Sequence, residues 1–212
     1  MSRPAGTCPQ CGAKIEFKWS GAVQTTCDFC QSILIRGDID LRKVGVVSDL
    51  PPDASPVQLG TEGIWMNKAF YVAGRIIYEH SVGTWNEWHL VFQDGTSGWL
   101  SDAQLEWAVT FPHNQTVSAD QAHRITVGNK FTWNNVEYEV TSRTVARYRG
   151  VEGELPFQYW DKNNVSFVDL RTQDARFATI DFSETPALVF LGQFVDFEQL
   201  QLKNLRQFEG WF

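Results

Sequence analysis

The chain has 212 residues, 43% of them hydrophobic and 14% aromatic, with nine tryptophans and a formal net charge of −7. Abundant aromatics at modest charge exclude a disordered chain. The acidic balance argues against coating nucleic acid or an anionic membrane surface, since either task needs clustered Lys and Arg.

The N-terminus, Met1-Ser2-Arg3-Pro4-Ala5-Gly6, runs into a cysteine motif without an apolar signal segment. No apolar run approaches the ~20 residues of a membrane-spanning helix. A cytoplasmic location is the expectation, and there paired cysteines bind metal more often than they form disulfides. All four cysteines fall in the first 30 residues: Cys8-Pro9-Gln10-Cys11-Gly12 and Cys27-Asp28-Phe29-Cys30. Two residues between thiolates let a tight turn aim both sulfurs at one ion, and two such knuckles complete a tetrahedron, so residues 1–36 read as a zinc ribbon. Gly12 suits a backbone position with positive φ, and Ile15, Phe17, Trp19, Ser20-Gly21 and Val23 read as a hairpin between the knuckles. Cys8, Cys11, Cys27 and Cys30 together leave no open coordination position, which makes the expected ion structural, one Zn2+ per chain. Four bases and two acids in residues 1–36 are balanced by the −2 of a zinc tetrathiolate, so the ribbon by itself offers little grip on nucleic acid.

Residues 37–56 read as a linker ending in Pro51-Pro52 and Ser55-Pro56, with a short strand at Val44–Val47. Beyond it lie eight of the nine tryptophans and an internal repeat. At an offset of 68, Gly60 matches Gly128, Trp65 Trp133, Asn67 Asn135, Val72 Val140 and Arg75 Arg143. The body is therefore predicted as two related small antiparallel β barrels or rolls, residues 57–112 and 125–212, joined by a polar connector at 113–124, with the copies diverging after two strands. The first has predicted strands at Gly63–Met66, Ala69–Tyr78, Glu87–Phe92 and Gly98–Leu100, with an Asp94-Gly95 hairpin. The second has them at Lys130–Trp133, Val136–Arg147, Pro156–Trp160, Val165–Leu170, Arg176–Phe182 and Ala187–Phe190. Helical turns are expected at Ser101–Glu106, Ser118–His123 and Asp196–Leu200, the last with the Asp-x-x-Gln spacing of a capping box. The fold class is all-β with an N-terminal ribbon.

The run Val72–Tyr78, the stretch Trp85-Asn86-Glu87-Trp88-His89-Leu90, the Asp94-Gly95 hairpin leading to Gly98-Trp99-Leu100, the string Val151-Glu152-Gly153-Glu154-Leu155-Pro156-Phe157, Val168-Asp169-Leu170 and Phe177-Ala178-Thr179-Ile180-Asp181 together resemble a bacterial family of unknown function, numbered 4178. The resemblance covers about residues 57–202. It implies a bacterial origin and partners connected with membrane stress or polyamines, and brings no catalytic residues with it.

No HExxH, GxSxG, P-loop or dinucleotide fingerprint is present, and no cysteine lies outside the ribbon, so an enzyme is not expected. His89, beside Glu87 on an alternating segment, reads as a half-exposed strand residue. Trp65 and Trp133 read as core anchors, and Trp85 and Trp99, next to loops, as the tryptophans most open to solvent. Trp85, Trp99, Glu87 and Glu154 are the candidate binding residues, because aromatic faces beside carboxylates suit a cation or a basic peptide. The leading expectation is a zinc-stabilised adaptor that binds a protein partner. The alternative is a sensor of a small cationic ligand such as a polyamine. Nucleic-acid binding through the ribbon ranks last.

Overall fold

A computed structural model describes residues 5–37, 40–47, 50, 54–158 and 164–208. Five short strands build the N-terminal part: β1 (Ala5–Thr7), β2 (Lys14–Glu16), β3 (Gln24–Thr26), β4 (Ser32–Arg36) and β5 (Leu41–Val46). β1 pairs with β2, while β3, β4 and β5 form a second small sheet. The predicted hairpin between the knuckles does not form, because each knuckle carries its own strand pair and the segment between them is drawn to the rest of the molecule. There the Val23 amide donates to the Leu155 carbonyl at 2.9 Å.

Ten further strands follow: β6 (Glu62–Trp65), β7 (Lys68–His80), β8 (Gly83–Phe92), β9 (Ser97–Ala103), β10 (Glu106–Val117), β11 (Lys130–Trp133), β12 (Val136–Gly153), β13 (Asn164–Arg171), β14 (Arg176–Asp181) and β15 (Ala187–Val195). β6–β10 and β11–β15 each run as an antiparallel meander; β10 pairs with β15 and β7 with β12, so β7–β10 and β12–β15 close one eight-stranded barrel. This corrects the expectation of two small barrels. Each meander has only four strands to contribute, too few to curl on itself around a filled interior, and the long strands β7 and β12 complete one barrel instead.

The two meanders share their backbone frame. Gly60 and Gly128, with φ of +80° and +88°, donate to the carbonyls of Val72 and Val140. Met66-Asn67 and Asn134-Asn135 both have the paired positive φ of a two-residue type I′ hairpin. A bulge falls between Val72 and Gly74 in β7 and between Val140 and Ser142 in β12. Past that bulge the matching cross-strand pairs are Ile76 with Glu87 and Thr144 with Phe167, then Trp88 with Leu100 and Val168 with Ile180. The offset of 68 thus grows to 80 in β8–β10 and β13–β15, through extra chain between β12 and β13.

Strand alternation divides the apolar residues of the barrel among three clusters, while Ile15, Phe17, Leu34 and Leu41 form a separate one in the ribbon. One face of the first meander packs Val72, Trp88, Leu90, Leu100 and Val109 under Val57 and Leu200. The same face of the second packs Val140, Val168, Leu170, Ile180 and Val189 under Val117 and Ile125. The opposite faces meet inside the barrel, where Ile76, Tyr78 and Trp99 from one meander touch Val151, Val165 and Phe167 from the other, with Ile33 of β4 among them.

Short elements follow their local chemistry. A helical turn α1 (Ala119–Ala122) carries a capping box between Ser118 and Gln121, and a 3₁₀ turn at Phe197–Leu200 follows Asp196. Ser101–Glu106 is no helical turn: Ser101–Ala103 belong to β9, and Gln104-Leu105 form a tight hairpin with φ of +52° and +69°. Pro156–Gln158 lie outside any strand, and Tyr159 and Trp160 fall outside the described residues.

Candidate functional site

Two places gather functional side chains, the cysteine knuckles and the barrel interior. Each knuckle is closed by an amide four residues on, Gly12 to the Cys8 carbonyl and Gln31 to the Cys27 carbonyl, both at 2.9 Å. Gly12 and Gln31 have φ of +77° and +58°, so the positive φ expected of Gly12 is present. These turns bring the four sulfurs within 4.8 Å of one another, with Cys8–Cys30 at 3.6 Å and Cys11–Cys27 at 3.7 Å. Tetrahedral thiolates about 2.3 Å from one ion would stand about 3.8 Å apart, so the cluster fits a metal ion. Ser32 Oγ lies 3.2 Å from Cys30 Sγ, and hydrogen bonding by the Ser32 hydroxyl and backbone lowers the Cys30 thiol to about 6.

Inside the barrel, a cavity of about 240 Å³ lies among Trp85, Glu87, Ser101, Thr144, Phe167, Asp169, Phe177 and Thr179, with His80, Thr84 and Gln104 beside it. A narrower space of about 40 Å³ continues past Glu87 toward Tyr78, Trp99, Phe157, Asp181 and Phe190. Glu87 borders both spaces. The Trp85 indole donates to Glu87 Oε1 at 3.1 Å, and the Ser101 hydroxyl donates to Oε2 at 2.8 Å. Burial pushes the Glu87 carboxyl up to about 7, against the pull of those two donors, and Asp169 and Asp181 add to the rise. Burial raises Asp169 as well, although the Ser142 hydroxyl donates to it at 2.9 Å. Tyr78 and Trp85 stack at 5.0 Å, and Phe167 meets both edge-on at 4.9 and 5.6 Å. Among the described residues, no Lys or Arg lines either space. A larger groove of about 470 Å³ runs outside the barrel past β6, β7 and Lys203, but none of the described residues that line it is a buried ionisable group.

Of the four residues expected to bind, Trp85, Glu87 and Trp99 line this interior. Trp99 is 6% exposed, which corrects the expectation of an open tryptophan: its position next to a loop hid that β9 turns this face into the lumen. His89 is likewise fully buried and not half-exposed. Its Nδ1 faces the Glu154 carbonyl at 2.8 Å and so carries the proton, while Nε2 accepts from the Ser97 hydroxyl at 2.7 Å. Burial lowers its pKa to about 4, leaving the imidazole neutral.

Glu154 sits elsewhere. Its carboxylate is buried and accepts from the backbone amides of Lys18 at 2.6 Å and Trp19 at 2.9 Å, so it fastens the ribbon to the barrel. Sequence reasoning missed Asp169, Asp181, Ser101 and Thr179 as lining residues. Their alternation within Asp169-Leu170 and Thr179-Ile180-Asp181 was visible, but alternation does not say that the polar face turns inward.

No helix among the described residues is long and apolar enough to cross a membrane. No curated protein and no solved structure matches the chain. The family model described as Domain of unknown function (DUF4178) matches residues 58–197, a span that holds the whole barrel. The chain belongs to that family.

Proposed function

We propose that the protein is a non-enzymatic binding protein whose barrel lumen takes a small aliphatic ammonium compound, with a structural zinc ion in the four-cysteine ribbon. The observation that carries the reading is Glu87: a carboxyl with two hydrogen-bond donors, walled by Trp85, Tyr78 and Phe167, with Asp169 and Asp181 nearby and, among the described residues, no cationic side chain lining the space. Such walls favour an ammonium group through both charge and ring faces. A volume of about 240 Å³ equals that of about eight waters, which suits a slim amine better than a peptide. Zinc is the favoured ion because four thiolates in a closed tetrahedron suit it and leave no site for catalysis.

Tryptophan fluorescence titrated with spermidine at pH 8 tests the reading, since Trp85 and Trp99 line the two spaces. A saturable change at sub-millimolar ligand is expected, lost in Glu87→Gln. A folded protein with no saturable change would overturn it. Native mass, with one zinc per chain expected and none in Cys8→Ser, tests the metal.

A second reading, an adaptor that docks a protein through the ribbon, is favoured by Phe29, which projects from the second knuckle at 78% exposure. The common frame of the two meanders, carrying the same bulge and the same cross-strand register, further supports an origin by duplication of one five-strand unit.

A further inference from the structure

The lumen is closed at one side by the ribbon. The chain between the two knuckles makes most of the contacts: Lys18 and Trp19 amides bind the Glu154 carboxylate, Val23 and Gln24 amides share the Leu155 carbonyl, and the Leu155 amide returns to Gln24 at 3.0 Å. The Gly153 amide donates to Thr26 Oγ1 at 2.9 Å. The Trp19 ring lies 5.1 Å from His89, and His89 lies 5.2 Å from Trp99, whose ring borders the inner space. Ile33 adds its side chain to the lumen cluster itself.

On the barrel side, these contacts fall at the end of β12 and in the two residues that follow it, Gly153 to Leu155. That segment has two tasks. Val151–Gly153 pair with β7 to shut the barrel, and Glu154-Leu155 then turn up under the ribbon. Close approach fixes its course: a Cβ on Gly153, at φ of +66°, would collide with the Ala73 carbonyl, and one on Gly74 with the Glu154 carbonyl.

We infer that the metal state of the ribbon regulates the lumen, tightening ligand binding when the four cysteines hold their ion and loosening it when they do not. The inference rests on the lumen being the binding site. Residues 13–26 are held at both ends by knuckles that share one ion, and a unit this small has too little core to keep its shape otherwise. Without the ion, Glu154 loses the two amides that the ribbon holds against it, and giving up donors is costly for a buried carboxylate. His89 loses the Trp19 ring from one side while still holding the Glu154 carbonyl and Ser97. The wall from β8 to Trp99 and the segment from Val151 to Phe157 then loosen together. Coupling of this kind is reciprocal, so ligand in the lumen also tightens the ribbon's hold on its ion.

The test uses the full chain, loaded with zinc and stripped by chelation under reducing conditions. Spermidine binding is read by calorimetry, and amide hydrogen exchange is read over residues 87–101 and 151–157. A Kd at least fivefold weaker after stripping, faster exchange in both segments and recovery on adding zinc are expected. Unchanged Kd and unchanged exchange would overturn the coupling. If the zinc-loaded protein fails to bind spermidine, the lumen reading falls, and the exchange measurement alone decides whether the ribbon holds the barrel wall. Glu154→Gln provides a reading that does not depend on stripping: zinc content stays at one per chain while exchange at 87–101 quickens and the Kd rises. Wild-type exchange in that variant would overturn the role assigned to Glu154.

Discussion

The two meanders of the barrel agree outside and differ inside. On the outer faces, Trp88, Leu90, Leu100 and Val109 stand where the second meander has Val168, Leu170, Ile180 and Val189, all of them buried. On the inner faces the same register sets Trp85 against Val165, Glu87 against Phe167, His89 against Asp169, Trp99 against Thr179 and Ser101 against Asp181. The outer positions have one task, to bury apolar area on a shared frame, and any large aliphatic or aromatic residue performs it. The inner positions face one common space, so two alike faces would fill it with the same groups twice. Their divergence is what brings a raised carboxyl, hydroxyls and three aromatic walls together in a single cavity.

The widest effect separates the outer agreement from chance. Leu90 and Leu170 occupy matched positions and are both fully buried. Leu90→Ala and Leu170→Ala are each expected to cost about 2–5 kcal/mol, with the two values within about 1 kcal/mol of each other. Chemical denaturation of both variants measures this, and a cost for one that is several-fold the other would break the equivalence of the two outer clusters.

How much of this was legible in the sequence depended on how local the physics is. The knuckles, the Asp94-Gly95 hairpin and the helical turn within Ser118–His123 are decided within four or five residues, and each reads correctly from residue type. Gln104-Leu105 adopts the paired positive φ of the Asn134-Asn135 turn without Gly or Asn, so a local rule misses it. Closure of one barrel depends on β7 meeting β12 and β10 meeting β15, partners about 70–90 residues apart. Alternation assigns Glu87, His89 and Ser101 to a polar face, which ordinarily means solvent. Here that face turns inward, so the most polar strand faces are the ones that line the cavity. Glu154 was legible as a carboxylate in an unusual string, between Gly153 and Pro156, but its partners include backbone amides more than 130 residues earlier, and an amide carries no signature in sequence.

Two inward-facing groups of the first meander, the half-buried Glu87 and the buried His89, sharpen the inner difference through pH. The folded protein holds Glu87 near 7 against an ordinary 4.5, so between those values the fold binds more protons than the unfolded chain, and stability from this group falls as pH rises across that window. Glu87→Gln is expected to gain about 1–3 kcal/mol at pH 8 and nothing at pH 4. The same variant loses spermidine binding, whereas in the parent the Kd weakens about tenfold from pH 8 to pH 6 as the carboxyl takes up its proton. His89 acts in the opposite sense. Its pKa near 4 lies below the ordinary 6.5, so the fold binds fewer protons than the unfolded chain in that interval and stability falls as pH drops through it. Thermal unfolding of His89→Gln is expected to show a flatter acid limb than the parent, alongside a loss of packing against Trp19 and Trp99. Parallel pH profiles for the parent and both variants would remove these two groups from the account.

The smallest effect lies at the rim of the second meander. Arg171 makes a two-pronged contact with Glu106 at 2.8 and 3.3 Å and lies 4.3 Å over the Phe194 ring, whereas the matched residue of the first meander, Val91, is buried and apolar. Both members of the ion pair are roughly half exposed, so water and salt screen them. Arg171→Met, which keeps an apolar stem on Phe194, is expected to cost about 1 kcal/mol or less in denaturant unfolding. It also removes a positive charge beside the carboxylates Glu106 and Asp169, so spermidine should bind slightly more tightly at low ionic strength. At 1 M salt the Debye length falls to about 3 Å and that gain should vanish. A gain that persists at 1 M salt would mean that Arg171 limits entry to the lumen by its bulk and not by its charge.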